Sequence, residues 1–102
     1  MTTTGRESQR AETHLTTVTV HYWAAARAAT GTGSDVFEVD GPVTLAEVVR
    51  RVREAHPGDR VDRVVGTCSV LVGDRPAGTE DPEAVVVQPG QSVELLPPFA
   101  GG

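Results

Sequence analysis

Thr44-Leu45-Ala46-Glu47-Val48-Val49-Arg50-Arg51-Val52-Arg53, near the middle of the chain, has the pattern of an amphipathic helix. Thr44 is a favoured N-cap residue, and Glu47, three positions later, is its capping-box partner. Apolar residues recur at the i, i+3, i+4 and i+7 positions of one helical face, namely Leu45, Val48, Val49 and Val52. We predict that this helix packs on a core and ends at His56-Pro57-Gly58, because a proline disfavours the helical conformation of the residue before it.

Two strands are predicted on the N-terminal side of this helix. Residues 16–23 alternate strictly between two faces, which is typical of a half-buried strand. One face carries Val18, Val20 and Tyr22, and the other carries Thr17, Thr19, His21 and Trp23. An alanine-rich helical turn at residues 24–29 and a glycine turn come next. Residues 34–40 then form the second predicted strand, which ends at a Gly-Pro pair.

Three further strands are predicted on the C-terminal side. The segment that leads to them, residues 59–66, is predicted to be irregular or partly helical. Residues 73–76 are predicted to form a turn, because glycine, aspartate and proline favour turn conformations. The three predicted strands span residues 67–72, 85–88 and 92–96.

This order of elements predicts an α+β domain in which one main helix packs across a mixed sheet of about five strands. In such a domain we expect the last strand to lie beside the first. Val93 and Leu95 of the last strand share one face, and Glu94 and Leu96 share the other. Trp23 and Leu96 would then form an exposed apolar patch on the sheet face away from the helix. The alternative is that Trp23 folds under the alanine-rich turn as peripheral core.

Composition narrows the classes of function. The 102 residues suit one domain at residues 16–98, preceded by a threonine-rich leader at residues 1–15 that we expect to be disordered. Nine arginines and no lysine against fourteen acidic residues give a net charge of −5, which disfavours nucleic acids and anionic membranes as partners. No apolar run has transmembrane length, no secretory signal is evident, and Cys68 is the single cysteine. We therefore expect a cytoplasmic protein.

Side chains that could catalyse a reaction or bind a metal are scattered. His14, His21, His56 and Cys68 have no metal-ligand spacing. We expect surface or structural roles for the histidines, a place in the core for Cys68, and no bound metal or cofactor. The domain does not have the pattern of a self-contained enzyme.

The C-terminal segment Leu95-Leu96-Pro97-Pro98-Phe99-Ala100-Gly101-Gly102 joins an apolar strand to a diproline and a short tail. The diproline favours an extended backbone and should direct the tail away from the domain. Residues 99–102 can reach at most about 13–14 Å. Because the two terminal glycines have no side chain, this tail could enter a narrow cleft of another protein and present the carboxylate of Gly102.

Three segments resemble the MoaD/ThiS-like family of sulfur carriers, which includes the small subunits of molybdopterin synthase. They are Tyr22-Trp23-Ala24-Ala25-Ala26-Arg27, Thr44-Leu45-Ala46-Glu47 and, most specifically, the ending Leu-Leu-Pro-Pro-Phe-Ala-Gly-Gly. The resemblance covers residues 16–102. It implies a ubiquitin-like β-grasp fold with a flexible Gly-Gly tail at residues 99–102.

The resemblance also implies a mechanism in which other proteins supply the catalytic side chains. An E1-like adenylyltransferase (MoeB/ThiF-like) would activate Gly102 with Mg-ATP, and a sulfurtransferase would supply the sulfur of a thiocarboxylate. Gly101 and Ala100 would keep the passage clear as the tail enters the large subunit of molybdopterin synthase (MoaE-like). There the sulfur would go to cyclic pyranopterin monophosphate. The implied contacts with partners are made by Phe99, Trp23, Leu96, Pro97 and Pro98.

Two other classes of function stay open. One is a sulfur carrier for another product, such as thiamine thiazole, cysteine or a specialised metabolite. The other is a ubiquitin-like protein modifier, or a plain binding module. A modifier that builds branched chains on itself needs lysines, and this chain has none.

Overall fold

The computed structural model of the protein describes residues 16–98. The predicted leader at residues 1–15 and the predicted tail at residues 99–102 lie outside the described residues. The elements, in chain order, are β1 (Thr17–Tyr22), α1 (Ala24–Thr30), β2 (Ser34–Glu38), β3 (Val43–Thr44), α2 (Leu45–Ala55), α3 (Asp59–Thr67), β4 (Ser69–Val72), β5 (Arg75–Pro76), β6 (Val86–Val87) and β7 (Ser92–Leu96).

The main sheet has five strands in the order β2-β1-β7-β4-β5. β1 and β7 pair in parallel at its centre, and the other neighbours are antiparallel. The predicted α+β class, the mixed sheet and the position of the last strand beside the first are therefore confirmed. The alternation of both central strands is the reason, since every second residue is buried on the face that meets the helices, namely Val18, Val20, Tyr22, Val93 and Leu95.

Helix α2 packs across this buried face through Leu45, Val48 and Val52. Its predicted N-cap is confirmed, since the hydroxyl of Thr44 accepts a hydrogen bond from the backbone N–H of Glu47 at 3.1 Å. Within residues 16–98, the second hydrogen bond of the capping box, from the backbone N–H of Thr44 to the Glu47 carboxylate, does not form. The Glu47 carboxylate instead accepts hydrogen bonds from Arg50 and Arg51, which lower the pKa of Glu47 to about 2.

The C-terminal half differs from the prediction in three places. Residues 59–66, expected to be irregular or partly helical, belong to the regular helix α3, and Val61 is buried there. The predicted turn at residues 73–76 contains the edge strand β5, which pairs with β4. The strand predicted at residues 85–88 is reduced to β6, which leaves the main sheet and pairs with β3 in a separate two-stranded sheet.

The junction between β1 and α1 has a backbone conformation that suits glycine. Ala24 has φ of +49° and is the one non-glycine residue within residues 16–98 with a positive φ. Left-handed backbone costs a residue with a Cβ about 1–2 kcal/mol.

We therefore expect Ala24→Gly to raise the free energy of unfolding, by up to about 1 kcal/mol after the entropic cost of glycine is subtracted. The matched control is Ala25→Gly, at the next position of the same helix, which is also exposed, and it should lower stability by about 0.5–1 kcal/mol. Urea denaturation of both variants measures the difference. Equal losses of stability in the two variants would contradict the assignment of strain to Ala24.

A polar cluster links three elements on one side of the core. Asp35 Oδ2 accepts a hydrogen bond from the Tyr22 hydroxyl at 2.9 Å and lies 2.5 Å from His56 Nε2. The rings of Tyr22 and His56 also meet edge to face, with centroids 5.8 Å apart. Burial, together with the neighbouring Asp35, raises the pKa of the Tyr22 hydroxyl. The cluster thereby ties β2 and the C-terminal end of α2 to β1.

Asp35→Ala should lower the free energy of unfolding by about 1–3 kcal/mol, because it leaves the hydroxyl of Tyr22 without its acceptor. Asp40→Ala removes an exposed carboxylate five residues away and should change stability by less than about 0.5 kcal/mol. Chemical denaturation of the two variants provides the comparison. Indistinguishable midpoints would show that the cluster contributes nothing to stability.

Candidate docking face and tail root

The main sheet has a second surface, turned away from α2, which we call the outer face. It carries Val36, Thr19, His21, Glu94, Leu96 and Leu71 from four strands. On the two central strands, His21 of β1 and Glu94 of β7 are register partners, and Leu71 of β4 flanks Glu94 from the other side. The outer face therefore combines apolar and polar side chains, and Glu94 is the carboxylate on its middle strand.

Trp23 lies on the outer face and not in the core. Its side chain is 49% exposed, and its indole Nε1 donates a hydrogen bond to Oε1 of Glu94 at 3.0 Å. The backbone N–H of Trp23 donates to the carbonyl of Leu95 at 3.1 Å, which extends the pairing of β1 with β7 beyond Tyr22. Of the two alternatives left open by the sequence, the exposed position is the one that the structure adopts.

Leu96, Pro97 and Pro98 lie at the root of the C-terminal tail. Leu96 is half-buried, while Pro97 and Pro98 are exposed. Trp23 and Leu96 each follow directly after the registered pair Tyr22 and Leu95. The structure therefore brings Trp23 and the tail root to the same end of the two central strands, as the sequence predicted. Phe99, Ala100, Gly101 and Gly102 lie outside the described residues.

A shallow cleft of about 430 Å³ borders the tail root, and its lining includes Cys68, Val70, Pro76 and Pro98. Cys68 was expected in the core, but it is half-buried at the C-terminal cap of α3 and packs against the core from its edge. Burial raises the pKa of its thiol, which disfavours the thiolate that a nucleophile would need. The cleft is therefore better suited to apolar contacts than to catalysis.

Neither a metal centre nor a membrane span is found between residues 16 and 98. No group of three histidine, cysteine or acidic side chains in this part of the chain is arranged to hold a metal ion. None of its helices has the length and hydropathy of a transmembrane span.

Two side-chain contacts, one on the outer face and one in the polar cluster beside the core, were missed by the sequence analysis. The first is the bond between Trp23 and Glu94, whose members are 71 residues apart. Strand alternation had placed each residue on the correct face, but only the register of β1 with β7 shows that they meet. The second is the contact of His56 with Asp35, for which the sequence carries no spacing signal.

Comparison with known proteins identifies the family. The family model described as the ThiS family matches residues 20–102. The molybdopterin synthase sulfur carrier subunit of Aspergillus niger is 30% identical over 87 residues, which are 85% of this chain and 96% of that relative.

Solved structures share the fold. The small archaeal modifier protein 1 of H. volcanii superposes with a TM-score of 0.66 at 21% identity, over 81% of this chain and 98% of that one. A chain of the BexX/CysO complex of Amycolatopsis orientalis superposes with a TM-score of 0.60 at 28% identity, over 83% and 99% of the two chains. The predicted ubiquitin-like β-grasp fold is confirmed by these neighbours. The chain belongs to the ThiS family.

Proposed function

We propose that this protein is a sulfur carrier for molybdopterin synthesis, in which Gly102 carries the sulfur as a thiocarboxylate. The observation that supports this most directly is the extent of the family match, which continues through Gly101 and Gly102. The 30% identity to a molybdopterin synthase sulfur carrier subunit, over nearly the whole of that protein, favours this product.

The chemistry needs a free terminal carboxylate and no side chain from this protein. In the first step, an oxygen of the Gly102 carboxylate attacks the α-phosphorus of Mg-ATP on an E1-like enzyme, and pyrophosphate leaves. In the second step, a sulfur donor such as hydrosulfide, delivered by a sulfurtransferase, attacks the carbonyl carbon. AMP leaves and a proton is released, so that the product is the thiocarboxylate. Adenylation is required because it replaces a poor leaving group, oxide, by a good one.

The tail needs a docking surface that holds it in the partner's cleft. Trp23, Leu96 and the two prolines lie at the tail root, and residues 99–102 add a reach of at most about 13–14 Å. Exposed tryptophan residues are typical anchors of protein interfaces. We therefore assign the outer face to the large subunit of molybdopterin synthase and, in a separate encounter, to the E1-like enzyme.

A second candidate function is sulfur delivery to a different product. The observation that favours it is the likeness at 28% identity to a chain of the BexX/CysO complex. This alternative uses the same tail chemistry, so it differs only in the enzyme that accepts the loaded carrier. An assay of the loaded chain with the host's large subunit separates the two functions. Transfer of sulfur to cyclic pyranopterin monophosphate supports the molybdopterin function, and no transfer supports a different product.

Incubation with the host's E1-like enzyme, ATP and a sulfur source should raise the intact mass by the replacement of one oxygen with sulfur, on Gly102. Gly102→Ala should remain unmodified and fold normally. Gly66→Ala is the matched control, because a Cβ added there meets nothing within 4 Å, and it should be modified like the wild type. A wild-type chain that stays unmodified with every E1-like enzyme of its host would contradict the sulfur-carrier function.

Trp23→Ala should weaken binding to the large subunit by about 2 kcal/mol, or about 30-fold in Kd, because it removes an aromatic anchor. Since the indole is half exposed, the loss of stability should stay well below the about 3–5 kcal/mol of a core tryptophan. Val86→Ala, which trims an exposed apolar residue of the separate β3-β6 sheet, should leave binding unchanged. Isothermal titration and thermal melting compare the wild type, Trp23→Ala and Val86→Ala. Equal affinities of the three proteins for the large subunit would contradict a role of Trp23 in the interface.

A further inference from the structure

The carboxylate of Glu94 is an unusual feature for the centre of a docking surface. Glu94 lies on β7, the middle strand of the sheet, with His21 and Leu71 as its register partners on either side. It shares the outer face with Leu96 and with Trp23, whose indole bonds to its Oε1. Its neighbours on this face are therefore apolar at Leu71 and Leu96 and polar at His21, and its side chain is only partly open to water.

Glu94 has no cationic partner in the folded domain. Among the ion pairs formed within residues 16–98, none involves Glu94, and the single hydrogen bond found for its carboxylate is the one that Oε1 accepts from Trp23. Oε2 is thus left for solvent. In the free protein this is tolerable, because a part-exposed carboxylate keeps water on that oxygen.

A partner that covers the outer face changes the solvation of the Glu94 carboxylate. It removes water from Oε2, and a desolvated carboxylate is strongly destabilising unless a charged group or several donors replace the water. One neutral indole N–H does not supply that replacement. The apolar neighbours Leu71 and Leu96 cannot donate hydrogen bonds, and the imidazole of His21, the other register partner, forms neither a hydrogen bond nor an ion pair with Glu94 within residues 16–98. A partner with a purely apolar matching surface would therefore bind this face poorly.

We propose that the outer face of this protein selects partners that place a basic side chain, best a guanidinium, against Oε2 of Glu94. Arginine fits because its planar group can bond Oε2 and stack on the exposed indole of Trp23 at the same time. The bond from Trp23 occupies Oε1 and leaves Oε2 for the partner. The net charge of −5 supports the same chemistry at longer range. The inference rests on the proposed function only for the identity of the partner.

The decisive variant is Glu94→Gln, because the amide oxygen still accepts the bond from Trp23 while the charge is lost. We expect its Kd for the host's large subunit to rise at least about tenfold, since one member of a desolvated charge pair is neutralised. The dependence of Kd on salt should become weaker at the same time. Glu94→Lys should abolish binding. Isothermal titration at several salt concentrations measures all three proteins.

Glu54→Gln is the matched control, because it makes the same change of charge on α2, on the opposite side of the sheet. It should bind like the wild type and thereby exclude an effect of net charge alone. A second readout is fluorine NMR with fluorinated tryptophan, since the chain has a single tryptophan. In free Glu94→Gln its resonance should stay near that of the wild type, which shows that Trp23 has kept its place.

The outcomes separate the two proposals. If the wild type binds the large subunit and Glu94→Gln binds equally well, the charge-pair inference is wrong while the proposed function stands. If Glu94→Gln and Glu54→Gln lose the same affinity, the effect is one of net charge and the inference is again wrong. If the wild type binds neither the large subunit nor the E1-like enzyme, the proposed function fails and the inference falls with it.

Discussion

The parallel pairing of β1 with β7 is the interaction on which the rest of this fold depends. Val20 and Val93 are register partners at its centre, and both are fully buried. Parallel strands cannot be joined by a tight turn, so the chain needs a long crossover between them. Here the crossover contains every other element of the domain, and α2 closes the core on one side of the sheet.

The direction of this pairing also determines where the tail begins. Because β1 and β7 run the same way, the residues that follow them emerge at the same end of the sheet. Trp23 follows β1, and Pro97 follows β7. An antiparallel pairing would have put Trp23 at the opposite end from the tail root. The parallel register therefore places the exposed indole of Trp23 next to the root of the C-terminal segment, without any contribution from the last four residues.

The features that could be predicted from the sequence have local signals, whereas the features that were missed depend on contacts between residues distant in the chain. The helix after Thr44 and the alternation of β1 and β7 could be predicted because each signal lies within about ten residues. Helix α3 has a sequence signal in the helical spacing of Val61, Val64 and Val65. Its N-terminus could not be predicted, because the helix begins after Gly58 without a side-chain cap.

The remaining differences concern which strands pair. Pro76 argued against a strand, yet β5 is an edge strand, where the missing N–H of a proline is tolerated. The two-residue strands β3 and β6 are too short to show an alternation at all. In the same way, Glu94 was placed on the correct face, while its bond with Trp23 required the register of strands that are distant in sequence. Sheet membership and cross-strand contacts are properties of the assembled core, so no single segment encodes them.

The position of Glu94 bears on how the proposed carrier would select its partners. An apolar face alone attracts many surfaces, because burial of apolar area is not directional. A carboxylate set among apolar side chains changes this, since every partner must compensate it or lose affinity. In the free protein the indole of Trp23 satisfies one oxygen, and water can satisfy the other at little cost. In the proposed interface, the carboxylate that water stabilises in the free protein would therefore be the group that a partner must compensate once that water is excluded.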